Sequence, residues 1–134
     1  MQVTDQPDTE RAAILETMQL YIDGCLAGKS ELMQPGFHPD ATLVGYSPRG
    51  LLTGPVQQLF DWIDGNGPAP EIEPRFGRIE IFETIAGVHL EVENWSGALT
   101  GPGVRMSDLF TLLKTEEGGW VITHTTFHWH SLVR

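Results

Sequence analysis

The stretch SDLFTLLKTEEGGWVITHTTFHWH, residues 107–130, carries β-branched and aromatic residues on both sides of a short glycine-containing turn. Such a composition on either side of a turn predicts two antiparallel strands. Segments 75–85 and 88–99 have the same character, and the Ala-Gly and Thr-Gly-Pro-Gly sequences beside them suit tight reversals. The second half of the chain is therefore predicted to be a meander of four long antiparallel strands.

The first half of the chain has helical periodicity instead. Between residues 9 and 27 the apolar residues form one stripe at helical spacing, and Gly28 suits the position after a helix. A strand is predicted at 41–47 with a brief second strand after it, and Pro55 favours the start of a helix through VQQLFDWID. Helices first and a sheet last is an α+β order, with the helices covering one face of the sheet.

Length and charge restrict the classes of protein that need to be considered. A chain of 134 residues has room for one core, so we expect a flexible N-terminus at 1–8 and a single domain over 9–134. The net charge of −10 argues against nucleic acid and membrane surfaces as partners. No signal peptide or membrane-spanning run is recognisable, which predicts a cytoplasmic protein.

The two faces of the last strand, 120–130, lead to two different predictions. Strict alternation places His124, Thr126 and His128 on one face and Phe127 and Trp129 on the other. Both faces carry large apolar groups, as in sheets that have helices on one side and a second subunit on the other. We therefore predict a homodimer through the convex sheet face, with Phe127 and Trp129 at the contact.

The register of the last hairpin decides where its carboxylate lies. Pairing Lys114 with Trp120 places Asp108 opposite Thr126, on the face that is predicted to look toward the helices. Diagonal neighbours in such a pair are about 7–8 Å apart, so an Asp–His hydrogen bond is within reach. The inward wall is then apolar at one end and polar at the other, which is typical of a small-molecule cavity.

Several motifs together resemble a known family. They are YIDGCLAG (21–28), FHPDA (37–41), ENW (93–95), SDLFTLLK (107–114), GGWVI (118–122) and FHWH (127–130). In this order they are similar to the putative lumazine-binding proteins of the nuclear-transport-factor-2-like superfamily, beside its SnoaL-like and ketosteroid-isomerase-like groups. The resemblance implies a cone-shaped barrel, in which a strongly bent, mostly antiparallel sheet wraps around N-terminal helices, a deep pocket and frequent dimerisation.

The polar residues of the predicted cavity suggest acid–base chemistry. Asp108 with His128 or His124 would remove a proton next to a carbonyl, and burial would raise the pKa of the carboxyl toward neutrality. A neutral donor would stabilise the developing enolate. The residues predicted to bind the ligand are Tyr21, Tyr46, Trp62, Asn94, Phe110, Trp120 and Thr126.

Two alternatives to this chemistry remain open at the level of sequence. His124, His128 and His130 share one strand face, and two of them with Asp108 form the feasible version of a metal site. We nevertheless predict no metal and no cofactor. The leading hypothesis is a cofactor-free isomerase-, cyclase- or dehydratase-like enzyme acting on a small molecule, and the alternative is a non-catalytic ligand-binding or dimeric accessory module.

Overall fold

The computed structural model describes residues 6–101 and 103–130. Two helices and six strands follow one another along the chain, with two short 3-10 turns at 30–32 and 34–36. The helices are α1 (Gln6–Ala27) and α2 (Gln57–Asn66). The strands are β1 (Phe37–Ser47), β2 (Gly50–Pro55), β3 (Glu73–Phe82), β4 (Ile85–Trp95), β5 (Val104–Lys114) and β6 (Trp120–His130).

All six strands form one sheet in the order β2-β1-β6-β5-β4-β3. Every neighbouring pair is antiparallel except β1 and β6, which run parallel. Strands β2 and β3 are the two edges, so the bent sheet does not close into a complete barrel. The α+β class and the mostly antiparallel sheet around N-terminal helices are confirmed.

Helix α1 fills the hollow of the sheet with the stripe that the sequence predicts. Ile14, Met18, Tyr21 and Cys25 are all at most 3% exposed, and they belong to one core with residues of the sheet. The helix begins at Gln6, earlier than the flexible N-terminus at 1–8 predicts, and residues 1–5 lie outside the described part of the chain. None of the described helices is long and apolar enough to cross a membrane.

Two clusters of polar contacts fix the helices to the sheet. At the start of α1, Glu10 accepts hydrogen bonds from Trp120 Nε1 (2.8 Å) and from Lys114 Nζ. About two turns later, Thr17 Oγ1 donates to the carbonyl of Trp120 at 2.8 Å. At the end of α2, Asn66 Oδ1 accepts from the backbone N–H of Leu99 and thereby holds the β4–β5 loop.

A bulge in β6 overturns the predicted register of the last hairpin. Lys114 pairs with Trp120 as predicted, but Leu112 pairs with Ile122 and Thr111 with His124, so Thr123 is an extra residue in β6. Beyond this point Asp108 lies opposite Phe127 and not opposite Thr126. A bulge adds one residue to one strand, so every later side chain of β6 is on the opposite face from the one that strict alternation predicts.

A second bulge does the same near the end of β4. Val92 pairs with Met106 and Trp95 with Val104, so three steps along β4 match two steps along β5. Asn94 takes the strained position with φ +60°, a left-handed conformation that asparagine tolerates better than most residues. As a result Trp95, and not Asn94, continues the inward face that Val92 belongs to.

Candidate active site

A cavity of about 820 Å³ lies between the inward face of the sheet, α1 and α2. Its volume is in the range of pockets that bind small molecules. Most of its walls are apolar or aromatic, and they come from both helices and from five strands. The lining residues include Tyr21, Leu43, Leu52, Leu59, Trp62, Trp95, Val104, Met106, Asp108, Phe110, Thr125, Phe127 and Trp129.

Asp108 is the carboxylate in the interior of this cavity. It points inward from the middle of β5, between Met106 and Phe110, and is 3% exposed. Its Oδ2 is buried and has no hydrogen-bond partner among the described residues. Burial, together with the negative charge of Glu91 on the other side of the sheet, raises the pKa of Asp108 to about 8. The carboxyl can therefore take up or release a proton near neutral pH.

Two hydroxyl groups accompany this carboxyl. Tyr21 projects from α1, and its ring packs against Phe110 with centroids 5.1 Å apart. Burial, with smaller effects from Cys25 and Asp108, raises the pKa of Tyr21 well above its usual value, so the phenol stays protonated and can donate. Thr125 of β6 is the diagonal inward neighbour of Asp108, and its buried Oγ1 finds no hydrogen-bond partner in the described chain.

Three tryptophans line the cavity toward the start of β5. Trp62 of α2 lies edge to face against both Trp95 and Trp129, with ring centroids 5.5 Å apart in each pair. Trp95 is 1% exposed, and its Nε1 is a buried donor without an acceptor among the described residues. We call Trp62, Trp95 and Trp129 the tryptophan cluster. The cavity thus combines a polar group at Asp108 with an aromatic end.

Phe127 reaches the cavity because its neighbour on β1 has no side chain. Gly45 pairs with Phe127, and a Cβ at Gly45 would lie 2.6 Å from the Phe127 ring. A larger residue at position 45 would displace that ring. The contact between the two strands therefore shapes the wall beside Asp108.

The histidines and Thr126 lie on the opposite face from the one predicted. His124, Thr126 and His128 are on the outer side of the sheet, where His124 Nδ1 lies 2.7 Å from Thr42 Oγ1. The prediction that they share the cavity with Asp108 is wrong because the extra residue Thr123 reverses the alternation. Asp108 and these histidines consequently form no common metal site, and the described residues contain no cluster of three potential metal ligands.

Three further predicted ligand-binding residues lie away from the cavity. Tyr46 is on the outer face of β1 and 58% exposed. Asn94 is exposed at the bulge, where its amide donates to the carbonyl of Glu71 at 3.2 Å. Trp120 is buried in the core with its indole bonded to Glu10. Of the predicted residues, the cavity brings together Asp108, Tyr21, Trp62 and Phe110.

The bulge in β6 also moves the two residues predicted at a subunit contact. Phe127 and Trp129 face inward and line the cavity, so a homodimer cannot form through them on the convex face. The sequence analysis missed Thr125 and Trp95 as lining residues for the same reason, since each follows a bulge. His130 has a polar neighbour, because its Nε2 lies 2.8 Å from Ser107 Oγ.

The fold and the cavity define a small single-sheet pocket protein, and comparison with known proteins identifies its family. The sequence model of the putative lumazine-binding family matches residues 9–128, so the chain belongs to that family. An aldolase from Cladobotryum sp, FrzH, is 28% identical over 120 residues, which cover 90% of this chain and 91% of the aldolase.

Solved structures show the same fold. A nuclear-transport-factor-2-like protein of unknown function from Shewanella baltica OS155 is 34% identical, with a TM-score of 0.82 over 92% of this chain and 95% of its own. A second such protein, from Methylobacillus flagellatus KT, is 36% identical, with a TM-score of 0.81 over 96% and 94% of the two chains. A ketosteroid-isomerase-like protein from Erwinia carotovora atroseptica SCRI1043 shares the fold at 17% identity, with a TM-score of 0.71 over 90% and 95% of the chains.

Proposed function

We propose that the protein is a cofactor-free acid–base enzyme that transfers a proton at the carbon next to the carbonyl of a small, largely apolar molecule. The observation that carries this proposal is the carboxyl of Asp108, buried in an apolar cavity and lacking a hydrogen-bond partner at Oδ2 among the described residues. An isolated buried carboxyl destabilises a fold, so a role in binding or chemistry is the physical reason to keep it.

Asp108 is the base in this reaction. Its carboxylate takes the proton from the carbon, the C–H electron pair forms an enolate, and the resulting carboxylic acid returns the proton to the same or a neighbouring atom. With a pKa of about 8, about one molecule in ten is ionised at pH 7 and competent as a base. The low ionised fraction is offset by the stronger basicity of a carboxylate with a raised pKa.

The two hydroxyl groups supply the donor that an enolate needs. Tyr21 remains protonated at neutral pH and Thr125 Oγ1 is buried beside Asp108. Donors fixed in a dry cavity stabilise a developing oxyanion without reorganising solvent. None of the described lining residues is a lysine, so an enolate is favoured over a Schiff base as the route to carbon acidity.

The similarity to the aldolase supports this class of reaction. An enolate or enol is the common intermediate of cofactor-free aldol and isomerase chemistry, and the relative spans nearly the whole of both chains. The shared sequence is thus compatible with shared carbon-acid chemistry, although the substrate and the bond that is made or broken differ among such enzymes.

Hydrogen–deuterium exchange tests the proposal without knowledge of the natural substrate. The protons next to the carbonyl of a panel of small open-chain and cyclic ketones are followed by NMR in D2O with added protein. We expect accelerated exchange, reduced by roughly 10²- to 10⁴-fold in Asp108→Asn. His128→Ala, on the outer face, is the matched control and keeps the wild-type rate. Exchange that is equal with both variants, or absent for every ketone, contradicts the proposal and favours a non-catalytic binding module.

We also propose that the protein forms a homodimer through the outer face of the sheet, with residues other than Phe127 and Trp129 at the contact. Tyr46, Leu109 and Leu113 are large apolar side chains on the outer face, and Leu109 is 60% exposed. Exposed apolar side chains on an uncovered sheet face suit a contact between subunits. Sedimentation of the wild type should give twice the 14.9 kDa chain mass. Sedimentation of Leu109→Lys should give the mass of a single chain. Leu32→Lys, away from the sheet, is the control, and a wild-type monomer refutes the contact.

A cytoplasmic location is proposed as well. Cys25 is a free thiol in the core, and an unpaired cysteine suits a reducing compartment. Fractionation of cells that produce the protein should recover it with cytoplasmic markers. Recovery with a membrane or secreted fraction would contradict this location.

A further inference from the structure

The tryptophan cluster contains a donor that the proposed proton transfer does not use. Trp95 is 1% exposed, and its Nε1 has no acceptor within the described part of the chain. An indole N–H can only donate, and leaving it unbonded inside a protein is unfavourable. Trp120 in the same protein has its Nε1 bonded to Glu10 at 2.8 Å, so the fold is able to satisfy a buried indole elsewhere.

The surroundings of Trp95 suit a flat ring. Trp62 crosses Trp95 at an interplanar angle of 79° and Trp129 at 85°. Aromatic rings attract other rings in such edge-to-face or offset geometries, and the ring of Trp62 is at best a weak acceptor for the N–H of Trp95. A carbonyl oxygen is a much better acceptor, and its arrival would replace an unsatisfied donor with an ordinary hydrogen bond.

The position of the cluster gives this donor a separate role from Asp108. Trp95 pairs with Val104, four residues before Asp108 on the same face of β5. At strand rise this separates the two backbone positions by roughly 13 Å. Both residues line one cavity, so a single ligand can contact both.

We infer that the tryptophan cluster is a subsite for an uncharged planar ring that carries a hydrogen-bond acceptor, and that Trp95 Nε1 donates to this acceptor. The proposal deepens the proposed function by naming the substrate class: a flat ring compound with an oxygen function at the aromatic end and a reacting carbonyl near Asp108. Only the reacting carbonyl near Asp108 rests on the proposed function, and the oxygen acceptor at Trp95 does not.

NMR of the indole N–H signals tests the subsite directly. The chain has 4 tryptophans, and the signal of Trp95 is assigned by its loss in Trp95→Phe. The protein is titrated with 1-indanone and with indane, which has the same rings without the carbonyl. We expect 1-indanone to move the Trp95 signal downfield, toward the shift of a bonded indole. Indane should not, and the signal of Trp120, already bonded to Glu10, should stay unchanged with both compounds.

Affinities give a second, independent readout. In Trp95→Phe the affinity for 1-indanone should fall roughly two- to tenfold more than the affinity for indane, because only the ketone loses a hydrogen bond. Trp129→Phe is the matched control, since it removes a similar ring area and should weaken both compounds equally. The titration of the wild-type protein remains decisive even if a variant does not fold.

Two outcomes would overturn the subsite. They are an equal response of the Trp95 signal to both compounds and the absence of any response to either. Asp108→Asn separates this result from the proposed function, because the downfield shift at Trp95 should persist without the carboxylate. If the Trp95 shift is absent in Asp108→Asn, the ketone binds at Asp108 and the subsite is refuted.

Discussion

Two regions of the interior contain the same types of polar side chain. In one region these side chains are hydrogen-bonded, and in the other they have no partners among the described residues. At the end formed by α1 and the β5–β6 hairpin, Trp120 donates to Glu10 and Thr17 donates to a carbonyl, so each buried polar group has a partner. At the cavity, the corresponding groups of Trp95, Asp108 and Thr125 have none among the described residues. The first set stabilises the fold. The second set costs stability, and we attribute its retention to a ligand.

The two carboxyl groups differ most clearly. Hydrogen bonds from Lys114 and Trp120 lower the pKa of Glu10, whereas burial raises the pKa of Asp108 to about 8. Both residues are acids beside aromatic side chains, so neighbouring residue types alone do not account for the difference. What separates them is that Asp108 is buried, whereas Glu10 keeps part of its contact with water and accepts hydrogen bonds from two donors.

The largest effect expected from this difference is on the pH dependence of exchange. Since ionised Asp108 is the base, the second-order rate of ketone exchange should rise about tenfold per pH unit below pH 8 and level off above it. The rate is measured by NMR between pH 5 and 9. A rate that falls with rising pH would make Asp108 a proton donor instead of a base.

A second effect concerns stability. A folded-state pKa of about 8 lies above the ordinary value of 3.8, so the folded protein holds a proton that the unfolded chain releases. The stabilisation from this proton is complete below pH 3.8 and is lost as the pH rises through about 8. Relative to Asp108→Asn, the wild type should lose about 1.4 kcal/mol of unfolding free energy per pH unit in this window.

Urea unfolding of both proteins at pH 5, 6, 7 and 8 measures this difference. The asparagine variant is the appropriate reference because it keeps the shape of the side chain and does not titrate. Equal pH dependence of the two proteins would mean that Asp108 titrates normally in the folded state.

The smallest expected effect is the difference in unfolding free energy between variants of the two buried indoles. Trp120→Phe removes a hydrogen bond to a carboxylate and should lower the unfolding free energy by about 1–3 kcal/mol beyond the loss of ring area. Trp95→Phe removes a donor with no acceptor in the described chain, so only the ring contribution is lost. Urea unfolding of both variants measures the gap. Equal destabilisation would show that Trp95 Nε1 has a partner in solution.

The sequence predicted the elements of this fold better than it predicted which face their residues occupy. Helical spacing at 9–27 and the composition of the later strands specified the α+β order, and Asp108 and Tyr21 were correctly assigned to the interior. Alternation of side chains is a local rule, and a single extra residue reverses it. For this reason the assignments of His128, Asn94 and Trp129 were wrong.

The sequence does contain a signal for both bulges. In β6, Trp120 and Ile122 have even numbers but the next large apolar residues, Phe127 and Trp129, have odd numbers. In β4 the even positions up to Val92 are followed by the odd position of Trp95. A core face that changes from even to odd positions within one strand predicts an inserted residue. The polar atoms at the cavity depend on three-dimensional contacts and have no comparable local signal.

The extra residue Thr123 decides which set of side chains β6 presents to the cavity. If Thr123 took a regular place in the strand ladder, alternation would turn the imidazoles of His124 and His128 toward the interior and the rings of Phe127 and Trp129 toward solvent, with every amino acid unaltered. Deleting Thr123 would have no such effect, because the regular strand that results keeps these side chains on their present faces. The lining of the cavity therefore depends on the bulge as well as on the residue types of the strand.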